Sequence, residues 1–134
     1  LKTHPRTLVV SIDIGANDVQ ALVNRCGGMT ELSCIQAGLP GVLAALSANL
    51  DTIYGHIRNV DGYRHKLVAV TTYSTDYGDP LVTSAIALVN EVVAERTLAW
   101  NGIVADGFAA HRAHQVVVAG QLEHDDRQLV FHAE

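Results

Sequence analysis

The chain has 134 residues, 49% of them hydrophobic and 17% charged, and carries a formal net charge of −5. That length predicts one domain with a core that needs no metal staple, and the apolar content excludes a disordered chain. The acidic balance argues against nucleic acid as a partner, because nine scattered Lys and Arg make no stripe to track phosphates and the few aromatics make no stacking platform. Asp13, Asp51 and Glu91 are expected to interrupt every apolar run before it reaches the roughly 18–20 residues of a membrane span, so no transmembrane segment is expected. The chain begins at Leu1 and its single Met is Met29, which predicts that an upstream part was removed or never included.

Residues 7–14 (TLVVSIDI) are a short apolar, β-branched run that stops at Gly15, the pattern of a buried parallel strand ending in a loop. Asn17 or Asp18 is placed to cap a short helix reaching Arg25. A Gly- and Cys-rich connection is expected from Cys26 to Gly38. Pro40 then opens the clearest helix, in which Leu39, Val42, Leu43, Leu46, Leu50, Ile53, Tyr54 and Ile57 share one face. Asp61-Gly62 is the turn after it.

Residues 66–73 (KLVAVTTY) read as the second strand and 74–79 (STDYGD) as a polar loop. Asp79-Pro80 supplies an N-cap followed by Pro at the first helical position. Val82, Ile86, Val89 and Val93 line that helix, Asn101-Gly102 stops it, and Trp100 is expected to cover the end of the core. Residues 103–106 are a third short strand. Strands alternating with long helices predict an α/β fold around a parallel sheet. In such sheets ligands bind off the carboxyl ends of the strands. The candidate loops are therefore Gly15 to Asp18, Ser74 to Asp79, and Asp106-Gly107. Beyond His111 the texture changes: 115–119 and 128–131 are possible strands, and His111, His114, His124 and His132 crowd together.

The segment Ser11-Ile-Asp-Ile-Gly-Ala-Asn-Asp18 resembles two families. The first is the sugar-kinase/actin-like ATPase superfamily, in whose phosphate loop Asp13 would stand near a metal and Gly15 would admit a phosphate. That family needs a β-hairpin after the Gly, where this sequence has a helix-like stretch. The closer resemblance is to the SGNH (GDSL-like) esterase/lipase family. Its G-x-N-D block follows a parallel strand, as Gly15-Ala16-Asn17-Asp18 does here. The downstream order is similar as well: a Cys-containing loop, a long helix, a strand ending in a Tyr-rich loop, a second helix and a short strand ending at Asp106.

This resemblance implies a three-layer, flavodoxin-like α/β fold with the parallel sheet flanked by helices, and ester hydrolysis through an acyl-serine, without metal or organic cofactor, on a small-molecule or lipid ester. Asn17 would donate its amide to the oxyanion of the tetrahedral intermediate. Asp18 would brace the loop through backbone hydrogen bonds. The family's GDS-type serine block and its D-x-x-H block have no counterpart, since Phe108, His111, Gln121 and Leu129 stand three residues before the four late histidines. The resemblance is thus to a central portion of such a hydrolase, or to a catalytically inactive module that keeps the fold. A non-standard triad would draw on Ser11, Ser74 or Ser84 with His111, His114, Asp106, Asp125 or Asp126.

Secreted relatives in this family often carry a disulfide after the G-x-N-D block. Cys26 and Cys34 are therefore either a disulfide in a secreted protein or two reduced thiols in a cytoplasmic one. Asn17-Asp18 as a plain helix cap, and the histidines as solvated surface residues and not metal ligands, are the simpler alternatives. A sheet lacking a first strand exposes an edge, which predicts a homodimer.

Overall fold

A computed structural model describes residues 1, 4 and 6–114. The possible strands at 115–119 and 128–131, with His124, Asp125, Asp126 and His132, lie outside the described residues. The chain runs β1 (Val9–Ile12), α1 (Ala16–Cys26), α2 (Leu32–Gly55), a π-helical turn (His56–Val60), β2 (Lys66–Val70), α3 (Pro80–Ala99) and β3 (Ile103–Ala105), and residues 107–114 are helical. The fold is α/β, a three-stranded parallel sheet with helices packed against it.

The strand order β1-β2-β3 runs one way, with Val10 opposite Leu67 and Val68 opposite Ile103. Right-handed crossovers that step in one direction lie on one face of a sheet. Accordingly Leu46, Leu50 and Tyr54 of α2 and Val89 and Val93 of α3 form one core with Leu67 and Ala69, against which Val10 and Ile12 pack. α1 joins from the side, burying Leu22 and Val23 against Ile35 of α2. The opposite face carries the alternate strand residues, and there Val9 and Ile103 are each 52% exposed. The expected second helical layer is represented, among the described residues, only by 107–114. It starts beside Val70 of this face, where a Cβ on Gly107 would stand 3.1 Å from Val70 Cγ1.

α2 begins eight residues before Pro40, which sits inside the helix, so the predicted start at Pro40 is corrected. Tertiary contacts extend the helix backward. Ile35 is buried between Leu22 and Val23, Cys34 is disulfide-bonded to Cys26, and Gly38 admits Leu22 so closely that a Cβ there would lie 2.4 Å from Leu22 Cδ1. The Cys–Gly connection shrinks accordingly to the few residues between Cys26 and Leu32. A second correction concerns hydropathy. No charged residue stands between Leu32 and Leu50, and Leu32–Val60 is a continuous helical stretch long and apolar enough to cross a membrane by length and composition. In this fold its Leu46, Leu50 and Tyr54 are the centre of the core.

Two polar ties lock the core elements together. Tyr54 is fully buried, with its hydroxyl 2.8 Å from Thr97 Oγ1. The Thr97 hydroxyl already donates to Val93 O, so Tyr54 is the donor of the pair. Arg58, in the π-helical turn, donates Nε to Trp100 O, Nη1 to Tyr63 O and His65 O, and Nη2 to Asn101 O. Four backbone carbonyls from the segments that lead into β2 and β3 thus share one buried guanidinium. Trp100 caps the core end as expected, its Nε1 donating to Asp51.

Arg58→Lys keeps the charge but replaces a five-donor planar fork with a compact ammonium that has three donors. Orphaned carbonyls make the expected loss about 2–4 kcal/mol, read as a lower urea midpoint at unchanged m-value. A second prediction concerns alkaline pH. Burial pushes the Tyr54 phenol above its ordinary value. The unfolded phenol ionises near pH ~10, so this contribution is complete below that pH and lost as pH rises through the higher folded value. Tyr54→Phe should flatten the fall in stability measured by urea unfolding between about pH 9 and about pH 11, with about 1 kcal/mol lost at neutral pH.

Candidate functional site

All three strands deliver their carboxyl ends to one edge. β1 leads into Gly15, whose φ of 118° lies in the left-handed region that glycine tolerates. A Cβ on Gly15 would stand 2.6 Å from Val89 Cγ1, so the turn also needs glycine for space. Gly15 itself is the N-cap residue of α1, and no side chain caps the helix. The expected cap by Asn17 or Asp18 is therefore corrected, because the chain enters the helix two residues earlier. Gly15 O accepts from Asp18 N and Val19 N. Among the described residues the backbone N–H groups of Ala16 and Asn17 and the exposed Asn17 amide make no hydrogen bond. Asp18 is half-buried in the first turn of α1, and its carboxylate braces no backbone group among the described residues.

Gly15, Asn17 and Asp18 line a crevice of about 620 Å³ together with Asp13, Thr72 and Tyr73. The second strand's exit is held rigidly. Asn90 of α3 clamps the Thr72 backbone from both sides, Thr72 N donating to Oδ1 and Nδ2 donating to Thr72 O, each at 2.8 Å. Thr72 Oγ1 reaches Asp13 Oδ1 at 3.4 Å, linking the exits of β1 and β2. Thr71 Oγ1 donates to Asp106 Oδ1 and accepts from Phe108 N, linking β2 to the exit of β3.

The weaker sequence candidates divide by what they are bonded to. Ser74 is fully buried, and its hydroxyl donates to Asp76 O within a tight turn, so it is not presented as a nucleophile. Ser11 stands in the middle of β1, opposite Val68 and on the face away from the core helices, and does not line the crevice. Asp106 caps the helical residues 107–114 by accepting from Ala109 N. His111 stacks on Tyr73, with ring centroids 4.5 Å apart, and lies over Tyr77 at 6.0 Å. Among the described residues its buried Nδ1 has no hydrogen-bond partner. His114 is exposed one turn further on. Tyr73 therefore both stacks with His111 and lines the Asn17 crevice. Among the described residues no cluster of three His, Cys, Asp or Glu is placed to hold a metal.

Sequence reasoning assigned no role to Asn90, Thr71 or Thr72; the one signal for Asn90 was a polar residue beside the apolar Val89 of α3, and Thr71 and Thr72 stood only as the polar end of the second strand. Compared with protein-family models, curated proteins and solved structures, the chain matches none.

Gly15→Ala tests the strained turn. The new methyl meets Val89 in a left-handed backbone, so a loss of about 2–4 kcal/mol is expected in thermal or urea unfolding. A loss below ~0.5 kcal/mol would show that the turn relaxes freely.

Proposed function

We propose that the chain provides the oxyanion-binding part of an SGNH-type carboxylic ester hydrolase acting on a small-molecule or lipid ester. The observation that carries this reading is the unpartnered Asn17 amide beside the free N–H groups that open α1, on the wall of a crevice at the carboxyl edge. Attack on an ester carbonyl puts negative charge on oxygen, and amide donors with the positive end of a helix stabilise that charge without titrating. The one-way order β1-β2-β3, with Gly-Ala-Asn-Asp after the first strand, supports the reading further. It is the order of the strands past the switch point in a flavodoxin-like sheet, where a ligand crevice is expected. The Cys26–Cys34 disulfide supports an oxidising, secreted setting.

Among the described residues no serine lines the crevice. In this reading the acyl-serine and its base come from a segment other than those that form the crevice. That same feature favours a second reading, a non-catalytic module that keeps the anion-binding edge. The two share the binding chemistry and differ in turnover.

The test is a nuclear magnetic resonance titration of the chain with a phosphonate monoester, a stable mimic of the tetrahedral anion. Shifts are expected at the Gly15 to Asp18 amides and the Asn17 side-chain NH₂, and Asn17→Ala should weaken binding by about tenfold or more. Shifts elsewhere, or equal affinity in the variant, would remove Asn17 from the proposed role. A serine-directed fluorophosphonate separates the two readings. Labelling together with ester turnover supports the hydrolase, and binding without labelling supports the module.

A further inference from the structure

A second cavity lies at the opposite edge of the sheet, at the amino ends of the strands. It measures about 920 Å³ and has an apolar wall of Leu8, Val9, Trp100 and Ile103. Leu8 is 67% exposed, and Val9 and Ile103 continue the uncovered sheet face into this opening. Its polar lining is one-sided. Arg64, His65 and Lys66 form the rim, Arg58 stands in the wall, and among the described residues no Asp or Glu lines it. Three of the nine Lys and Arg therefore meet at one cavity of a chain whose net charge is −5.

Arg58 adds a second, independent observation. The residue is nine-tenths buried, and its four hydrogen bonds all go to neutral carbonyls. Arg58 forms no salt bridge among the described residues. A buried cation without a counter-ion favours an anion beside it. One of its five N–H donors is not used by those four bonds. The cavity volume lies within the range of small-ligand sites, which combine apolar walls with a few placed polar groups.

We propose that this cavity binds a single-chain amphiphilic carboxylate, its head group at Arg64 and Lys66 and its alkyl chain along Leu8, Val9 and Ile103. Charge complementarity selects the anionic head, and the apolar strip running onto the open sheet face selects the chain. Nothing in this site depends on what Asn17 does at the other end of the sheet.

The chain contains a single Trp, and Trp100 lines the cavity, so its fluorescence reports on occupancy. Laurate, titrated below its micellar concentration, should give a saturable change. Dodecanol and dodecyltrimethylammonium, with the same chain but no anionic head, should bind at least about tenfold more weakly. Arg64→Glu combined with Lys66→Glu, both exposed positions, should weaken laurate binding by at least about tenfold while the melting temperature is kept. Absence of a saturable change, equal binding of the cationic amphiphile, or unchanged affinity in the double variant would each overturn the proposal. So would binding only to anionic phospholipid vesicles and not to monomeric laurate, which would make the site a membrane contact.

Discussion

The arrangement depends first on one side chain, Arg58. The chain leads into β2 from the π-helical turn and into β3 from α3, and each lead-in leaves carbonyl oxygens pointing away from any regular hydrogen-bond ladder. The Arg58 guanidinium collects Tyr63 O and His65 O ahead of β2, and Trp100 O and Asn101 O ahead of β3. A planar fork of donors suits this task in a way that no other side chain does. By fixing the two lead-in segments against each other it holds the register of Val68 with Ile103, and the register sets where β2 and β3 release their carboxyl ends. The same group leaves a cation in the wall of the amino-end cavity. The structural tie thus also contributes to the electrostatic character of that cavity, beside Arg64 and Lys66.

The one-way strand order has a second consequence. Since α1, α2 and α3 all collect on one side, the alternation along β2 divides Leu67 and Ala69, both buried, from Val68 and Val70, which are half-buried on the other face. Fully parallel sheets are ordinarily covered on both faces. The exposure of Val9 and Ile103 marks the amino-end half of this second face as apolar surface in contact with water. At the carboxyl end the helical residues 107–114 begin beside Val70, and Tyr77 and His111 are stacked there. The two ends of the same face therefore differ: one is closed by aromatic stacking, and the other opens into the cationic cavity.

How much of this is legible in the sequence follows from which interactions are local. α3 is legible at both ends, because Asp79-Pro80 caps through its own neighbours, the Asp79 side chain accepting from Leu81 N and Val82 N. The three strands are visible in their β-branched runs, each longer than the strand it forms because ladder pairing ends before the apolar residues do. The start of α2 is not legible, since Pro40 and Gly38 argue locally against a helix while Leu22, Ile35 and the Cys26–Cys34 bond argue for one across the fold. The expected Asn17-Asp18 cap fails for a related reason: the contact between Gly15 and Val89 fixes where α1 begins. Arg58 gives no sequence signal, because its partners are backbone atoms more than forty residues away as well as near ones.

The Gly15 turn also explains why Asn17 stands free. An Asn, Asp, Ser or Thr at the N-cap would turn its side chain onto the first N–H groups of α1 and consume the donors that open the helix. Glycine at that position leaves them unpaired, and the left-handed φ aims the helix so that its start lies over Leu46 and Val89. The Gly15 turn is thus held by packing on Leu46 and Val89, and the Thr72 wall of the crevice by the Asn90 clamp. Backbone donors that start from so fixed a turn would have little reorganisation to make beside a bound negative charge, and the proposed oxyanion role would use that property.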